Sequence, residues 1–384
     1  MIPRDAEQEI LSLAKQFKAV AIVGPRQSGK TTLVRYIFQD KPYVNLENPD
    51  IRLYATEDPR GFLSNYPKGA ILDEVQRIPE LFSYLQQILD ESNTNGLFIL
   101  TGSNNFLLQA SISQSLAGRV AYLNLLPLSL NEINDRQSDS NQLILKGGYP
   151  AIHQETIDPT KWYANYVRTY VERDVRLIKN IADLTTFERF IRLCAGRIGQ
   201  LLNMSSLAME TGVDVKTIGA WISVLETSFV LFRLQPYHEN FNKRIVKMPK
   251  LYFYDTGLAS YLLGIEESTQ LALHPFRGSL FENLIVGEFL KRQLHAGKDS
   301  NLFFWRDNVG HEIDLILVQQ NRLLPIEIKS GKTITNDYFK GIVYWNKISQ
   351  TRGGMVVYSG DTNQQRSNNI QVLSFRDLNQ MSAV

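Results

Sequence analysis

A chain of 384 residues exceeds what one ordinary core encloses and points to two or three domains. Apolar residues make up 43% and charged residues 21%, a balance that excludes a disordered chain. Lys and Arg number 41 against 39 Asp and Glu, so the formal charge of +2 excludes an argument for a nucleic-acid partner from bulk charge alone. The first 150 residues alternate short apolar runs with amphipathic helical stretches, the pattern of a parallel sheet covered by helices. Strands are expected at 19–23, 43–46, 70–72, 97–100 and 120–125. A polar stretch from Asn134 to Gln142 loosens the pattern, and Gly147-Gly148-Tyr149-Pro150 punctuates it. From Lys161 to about Leu263 the chain reads mainly as helices, with strand-like pieces at 230–234 and 251–254. From His274 a helix leads into strand-like runs at 303–305, 312–318, 323–328 and 355–358. The expected division is 1–150, 151–270 and 271–384, in the α/β class.

Cys194 is the only cysteine, so neither an intramolecular disulfide nor a cysteine zinc site can form, and a reducing cytosol is the natural compartment. Met1-Ile2-Pro3-Arg4-Asp5 leads into a charged amphipathic stretch rather than a signal-peptide core. No apolar run approaches the roughly 18 residues that a membrane span needs. The expectation is a cytoplasmic protein with no membrane partner.

Gly24-Pro25-Arg26-Gln27-Ser28-Gly29-Lys30-Thr31 fits G-x-x-x-x-G-K-[ST] in full, with an apolar strand running in and an amphipathic helix running out through Thr32. Glycines are needed because the loop wraps closely around phosphate, whose charge then faces backbone N–H groups and the helix N-terminus. Lys30 should reach the β- and γ-phosphates of ATP, and Thr31 should offer its hydroxyl to Mg²⁺. The metal also needs a carboxylate, and Ala70-Ile71-Leu72-Asp73-Glu74 supplies one at a strand end. Asp73 would hold Mg²⁺ through water, and Glu74 would polarise the attacking water. Phe98-Ile99-Leu100-Thr101-Gly102-Ser103-Asn104 reads as a strand inserted between the two phosphate-site strands, with Ser103 or Asn104 as a polar sensor of the γ-phosphate. In Ser115-Leu116-Ala117-Gly118-Arg119, Arg119 would act as a finger on a neighbouring subunit's nucleotide, or else form a surface salt bridge.

These stretches resemble a prokaryotic family of AAA-type ATPases that pair the ATPase with a C-terminal domain of formerly unknown function. The likeness runs through Gly147 to Pro150 and Tyr170-Val171-Glu172-Arg173-Asp174-Val175. It continues at Tyr252-Phe253-Tyr254-Asp255-Thr256-Gly257-Leu258 and Gly278-Ser279-Leu280-Phe281-Glu282-Asn283, so it covers nearly the whole chain.

Residues 204–222 have the grammar of a helix-turn-helix. Ser205 would cap a short helix, Gly212 would break it, and Asp214 or Lys216 would open a second helix. Leu207, Ala208, Val213, Ile218, Ile222 and Leu225 would form its core. The strand-like run 229–234 and the basic Lys243-Arg244-Ile245-Val246-Lys247 would make a wing. This predicts a mainly helical winged-helix domain over 151–270, with Lys216 and Thr217 in a major groove and Lys243, Arg244, Lys247 and Lys250 on phosphates. A purely structural lid is the competing reading.

At the C-terminus, Glu312-Ile313-Asp314-Leu315 and Pro325-Ile326-Glu327-Ile328-Lys329 alternate with period 2. Two such strands side by side bring Asp314, Glu327 and Lys329 together, and Glu282 on the opening helix would complete the set. Asp314 and Glu327 would hold Mg²⁺, and Lys329 would orient water or stabilise the pentavalent charge. The pattern resembles the PD-(D/E)XK superfamily, which implies a restriction-endonuclease-like α/β domain; Ile313-Asp314 stands where the leading Pro-Asp is usual. A fold that only grips DNA, and a merely exposed strand face, are the alternatives. His311 reads as a strand residue.

The combined expectation is an oligomeric ATP-driven machine acting on DNA. A nucleotide-gated switch in defence or signalling, with a protein client, and an Mg²⁺-dependent nuclease with regulatory ATP binding are the competing readings.

Overall fold

The computed structural model describes residues 1–103, 112, 115–171, 183–238, 246–320 and 322–381. The chain forms two compact units. The first comprises Met1–Leu128 with Thr227–Phe229 and Lys291–Asp299; the second comprises Ser129–Glu226, Val230–Leu290 and Ser300–Val384.

The first unit holds a five-stranded sheet of β1 (Ala19–Val23), β2 (Tyr43–Asn45), β3 (Ala70–Asp73), β4 (Phe98–Gly102) and β5 (Val120–Asn124). Every pairing is parallel and the order is β2-β3-β4-β1-β5. All five lie within one or two residues of the expected runs. Strands β1, β3 and β4 are buried along their whole length, which is why they read as unbroken apolar runs rather than alternations. The edge strand β5 alternates instead. Ile10 of helix Glu7–Gln16 and Leu33 and Val34 of helix Lys30–Ile37 join Val20, Ile22, Ile71 and Ile99 in one core cluster. Each such side chain contributes about 1.5–3 kcal/mol by leaving water. Strand β4 lies between β1 and β3, as expected, so three adjacent strands end side by side at Val23, Gly102 and Asp73. The crevice beyond such carboxyl ends is where open α/β sheets take their ligands.

The second unit contains an eight-stranded sheet. Its strands are β6 (Leu231–Pro236), β7 (Lys250–Phe253), β8 (Leu302–Arg306), β9 (Glu312–Gln319), β10 (Arg322–Lys329), β11 (Gly354–Tyr358), β12 (Gln364–Gln365) and β13 (Ile370–Ser374). Their order is β12-β13-β11-β10-β9-β8-β6-β7. Strand β6 pairs antiparallel with β7 and parallel with β8, so one sheet runs across residue 270. Strands β12 and β13 were not among the expected ones: β12 has two residues, too few for a periodic signal, and β13 follows a polar run.

Helices Met204–Thr211 and Val215–Thr227 flank a left-handed Gly212 (φ 76°), as the sequence grammar requires. The first cap is Asn203, whose side chain accepts the Ser206 N–H, and not the expected Ser205. Asp214 caps the second, accepting from the Thr217 N–H at 2.9 Å and the Thr217 hydroxyl at 2.6 Å. Lys243, Arg244 and the expected strand-flanking basic run up to Ile245 lie outside the described residues, as do Asn104 and the stretch from Glu172 to Val175.

Two signature stretches meet in this unit. Asp255 accepts hydrogen bonds from the Gly148 N–H (2.7 Å), the Leu258 N–H (2.9 Å) and the Tyr163 hydroxyl (2.6 Å). A Cβ at Gly147, whose φ is +63°, would lie 2.1 Å from the Tyr163 hydroxyl oxygen. Only glycine fits there.

Candidate functional site

The loop between β1 and helix Lys30–Ile37 is shaped by its glycines. A Cβ at Gly24 would sit 2.1 Å from the Leu125 carbonyl oxygen, and Gly29 takes φ +90° at the helix N-cap. Arg4, which the sequence reading passed over, fixes the loop from below. Its guanidinium donates to the Ser28 carbonyl at 2.7 Å and the Leu126 carbonyl at 2.6 Å. No spacing rule points to it, because its partners are backbone atoms distant in sequence. The loop residues Pro25 and Ser28 are buried, Arg26 is half-buried, and Gln27 and Thr32 are exposed. Lys30 is buried, and its ammonium donates to the Gly24 carbonyl at 3.0 Å and the Pro25 carbonyl at 2.8 Å.

Thr31 and Asp73 meet, with Thr31 Oγ1 at 3.1 Å from Asp73 Oδ2. Asp73 also accepts from the Tyr43 hydroxyl at 2.6 Å and from the Thr101 hydroxyl. Burial, with the neighbouring carboxylate, pushes the Tyr43 phenol well above its ordinary value, so it remains a proton donor. Glu74 holds a left-handed conformation (φ 56°, ψ 42°), uncommon for a non-glycine residue and a conformation that tends to occur at functional sites. Its Oε2 accepts from Ser103 Oγ at 2.8 Å and Gln76 Nε2 at 2.7 Å. Tyr43 and Gln76 were missed. Gln76 stands two residues from Glu74, a spacing that a tight turn brings together. Two oxygen donors, Thr31 and Asp73, thus lie side by side beside a phosphate-type loop, a set that fits Mg²⁺.

Arg119 is spent differently from the finger expectation. Its Nη2 lies 3.0 Å from Asp90 Oδ2 while Nε holds Oδ1, a two-point ion pair on the exterior of its own unit.

In the second unit, Asp314, Glu327 and Lys329 come together. Lys329 Nζ is 3.4 Å from Asp314 Oδ2 and forms an ion pair with Glu327 Oε2, while the Ile328 N–H donates to Asp314 at 2.8 Å. Ile313 on the opposite face packs with Trp305 and Trp345, which anchors the strand's orientation. A Cβ at Gly341 would fall 1.8 Å from Glu327 Oε1, so this glycine clears room for the carboxylate. Glu282 joins the cluster, but through Lys250 (2.9 Å) and the Tyr252 hydroxyl (2.5 Å). Lys250 lies in the interior, contrary to expectation. Expected on the surface against phosphate, it is buried, with its side chain 2% exposed, and pairs with Glu312 as well as Glu282. Arg306 closes on the far oxygen of Glu312 at 3.1 Å.

The electrostatics follow from this packing. Burial and the adjacent Asp314 push Glu327 up to about 8. Burial alone would raise Asp314, but Lys329 and Lys250 hold it below the ordinary carboxylate range. Burial would likewise depress Lys250; Tyr252, Glu282, Glu312 and Asp314 reverse this and keep it firmly protonated. One oxygen of each carboxylate is held by an ammonium group, Lys329 on Asp314 and Glu327 and Lys250 on Glu282 and Glu312, so Mg²⁺ fits this cluster only by displacing them.

Residues 16–134 match the family model described as AAA domain. Residues 137–269 and 277–378 match two models described as domains of unknown function (DUF8612 and DUF4143). Uncharacterized proteins of Mycobacterium tuberculosis and Mycobacterium bovis are each 32% identical over 335 residues, covering 86% of this chain and 74% of theirs. The chain belongs to their family, an AAA-type ATPase family. An uncharacterized protein of Haemophilus influenzae is 22% identical over 278 residues, covering 67% of this chain and 64% of its own. Among solved structures, a Walker-type ATPase of Pyrococcus abyssi is 14% identical with a TM-score of 0.41, covering 68% of this chain and 96% of that one. Among the described residues no helix is long and apolar enough to cross a membrane.

Proposed function

We propose that this AAA-family chain is an Mg²⁺-dependent ATP hydrolase that works as an oligomeric, ATP-driven machine on DNA. The observation that carries the hydrolase reading is the pairing of Thr31 with Asp73 at 3.1 Å beside the loop lysine, with Glu74 tethered next to them. Lys30 would leave the Gly24 and Pro25 carbonyls for the β- and γ-phosphates. Thr31 and Asp73 would hold Mg²⁺, whose charge offsets that of the phosphates. Glu74, fixed by Ser103 and Gln76, would orient the attacking water. Ser103 would thereby couple the γ-phosphate position to Glu74.

The DNA reading draws on the second unit. Its short helix pair around Gly212 exposes Lys216 next to the Asp214 cap, and Lys247 is exposed on the chain leading to β7. A winged-helix role for this segment would place both on phosphates.

The test is steady-state ATP hydrolysis with and without single-stranded, duplex and branched DNA, with Lys30→Ala as the blank. Stimulation by one DNA form is the expected result. Lys30-dependent turnover indifferent to all three would replace the machine with a nucleotide-gated switch.

A further inference from the structure

We propose that the Lys250 ammonium is the resident cation of the second unit's carboxylate cluster and shuts a divalent metal ion out of it. This deepens the proposed function, because it rests on reading Asp314, Glu327, Lys329 and Glu282 as the counterpart of a nuclease centre. It assigns that centre to holding its strands together rather than to metal-assisted cleavage.

The position of Lys250 is fixed by backbone on two sides. It pairs with Leu234 across β6 and β7 and bridges Leu201. Its side chain runs inward, passes 5.5 Å from the Phe304 ring, and ends 2.9 Å from Glu282 Oε1 in an ion pair that also takes Glu312. Glu312 stands two residues before Asp314 on the same strand face, so the ammonium fills the space between the helix that carries Glu282 and the acidic face of β9. A hard divalent ion binding there would need several of these oxygens at about 2.0–2.6 Å. An ammonium and such an ion cannot share that volume, and each repels the other.

Charge leads to the same conclusion. Glu282, Glu312, Asp314 and Glu327 face Lys250, Lys329 and Arg306, and because Glu327 is pushed toward its neutral acid form the negative charge does not exceed what the three cations offset. Adding a divalent ion would turn a nearly neutral cluster positive. Lys329 can yield, since 29% of its side chain is exposed and it can swing toward water. Lys250, at 2% exposure, has no such exit. The two lysines therefore differ in role: Lys329 is the side chain that a ligand would meet, and Lys250 is a permanent part of the interior.

The experiment counts Mn²⁺ bound to the nucleotide-free full chain by the loss of the free-ion electron paramagnetic resonance signal. Wild type is expected to bind no ion in a manner sensitive to Asp314→Asn up to about 1 mM. Lys250→Met is expected to gain one ion per chain, and Lys250→Met with Asp314→Asn to lose it again. Lys250→Gln, which keeps a hydrogen-bond donor, serves if the methionine variant fails to fold by circular dichroism. An ion bound by wild type and removed by Asp314→Asn would overturn the proposal, and so would a folded Lys250 variant that binds none. The count is independent of ATP turnover, so its failure is distinct from failure of DNA stimulation.

Discussion

Two carboxylate clusters, one at the end of β3 and one built from β9, β10 and the helix that carries Glu282, are held in opposite ways. Asp73 and Glu74 receive hydrogen bonds from neutral groups: the hydroxyls of Thr31, Thr101, Tyr43 and Ser103 and the Gln76 amide. Asp314, Glu327, Glu282 and Glu312 receive theirs largely from ammonium and guanidinium groups. Neutral donors orient a carboxylate but leave its charge in place, so an arriving cation still gains the full attraction. Cationic partners cancel that charge in advance. Similar sequence signatures, acids at the ends of apolar runs, are therefore met by neutral hydrogen-bond donors in one unit and by cations in the other.

The largest expected effect tests the first half of this contrast. Glu74→Gln should lower ATP turnover by roughly 100- to 10,000-fold while ATP remains bound, since it removes a base without disturbing Lys30. Nucleotide binding by equilibrium titration, beside steady-state phosphate release, checks this. Ordinary turnover would remove Glu74 from the chemistry.

Next comes stability. Lys250→Met should cost about 3–5 kcal/mol in chemical denaturation, because it leaves the half-buried Glu282 without its cation and Glu312 with Arg306 alone. Asp73→Asn should cost only about 1 kcal/mol, since its partners are neutral donors that an amide still partly satisfies. Equal costs would erase the distinction between the two groups.

How much of this was legible in the sequence depends on what each residue contacts. The five strands of the first sheet, the insertion of β4 and the meeting of Thr31 with Asp73 follow from local patterns, since each motif lies on a strand end or helix start. Asp314, Glu327 and Lys329 were legible because period-2 alternation on two paired strands is a local rule. Lys250 was misread because its neighbours in sequence, Lys247 and the basic run before it, suggested a surface. Its partners come from a distant helix and strand. Arg4 and Tyr43 were invisible for the same reason. The Gly147 to Pro150 and Asp255-Thr256-Gly257 stretches, quoted for family likeness, meet in a packing knot around Tyr163 rather than at either carboxylate group.

A smaller effect comes from pH. Burial and the charges of Arg4 and Lys291 depress His295 to about 3, and its Nε2 accepts the Leu126 N–H at 3.1 Å, which requires the neutral ring. A depressed histidine contributes stability that is complete above about 6.5 and is lost as pH falls toward 3. At pH 5 the loss is about 2 kcal/mol. Glu327, raised to about 8, works in the other direction: its contribution is complete below the ordinary value of 4.5 and is lost as pH rises through 8. Melting profiles should therefore lose their acid limb in His295→Gln and their alkaline limb in Glu327→Gln. Profiles unchanged in either variant would reject that assignment.

The smallest effect concerns Arg119, and it bears on assembly. Its pair with Asp90 is exposed, so the pair contributes little to folding and is easily released. Arg119→Ala should thus leave the melting temperature unchanged. If a neighbouring chain presents its nucleotide to this guanidinium, the same variant should slow turnover by about tenfold, a modest effect for an arginine that must first leave a carboxylate. The slowing should appear only at protein concentrations where the specific activity of wild type rises with concentration. Asp90→Ala, which frees the guanidinium, should match or exceed wild type under those conditions. A rate for Arg119→Ala that matches wild type at every concentration would confine this residue to its ion pair, and the finger on a neighbouring subunit would be withdrawn.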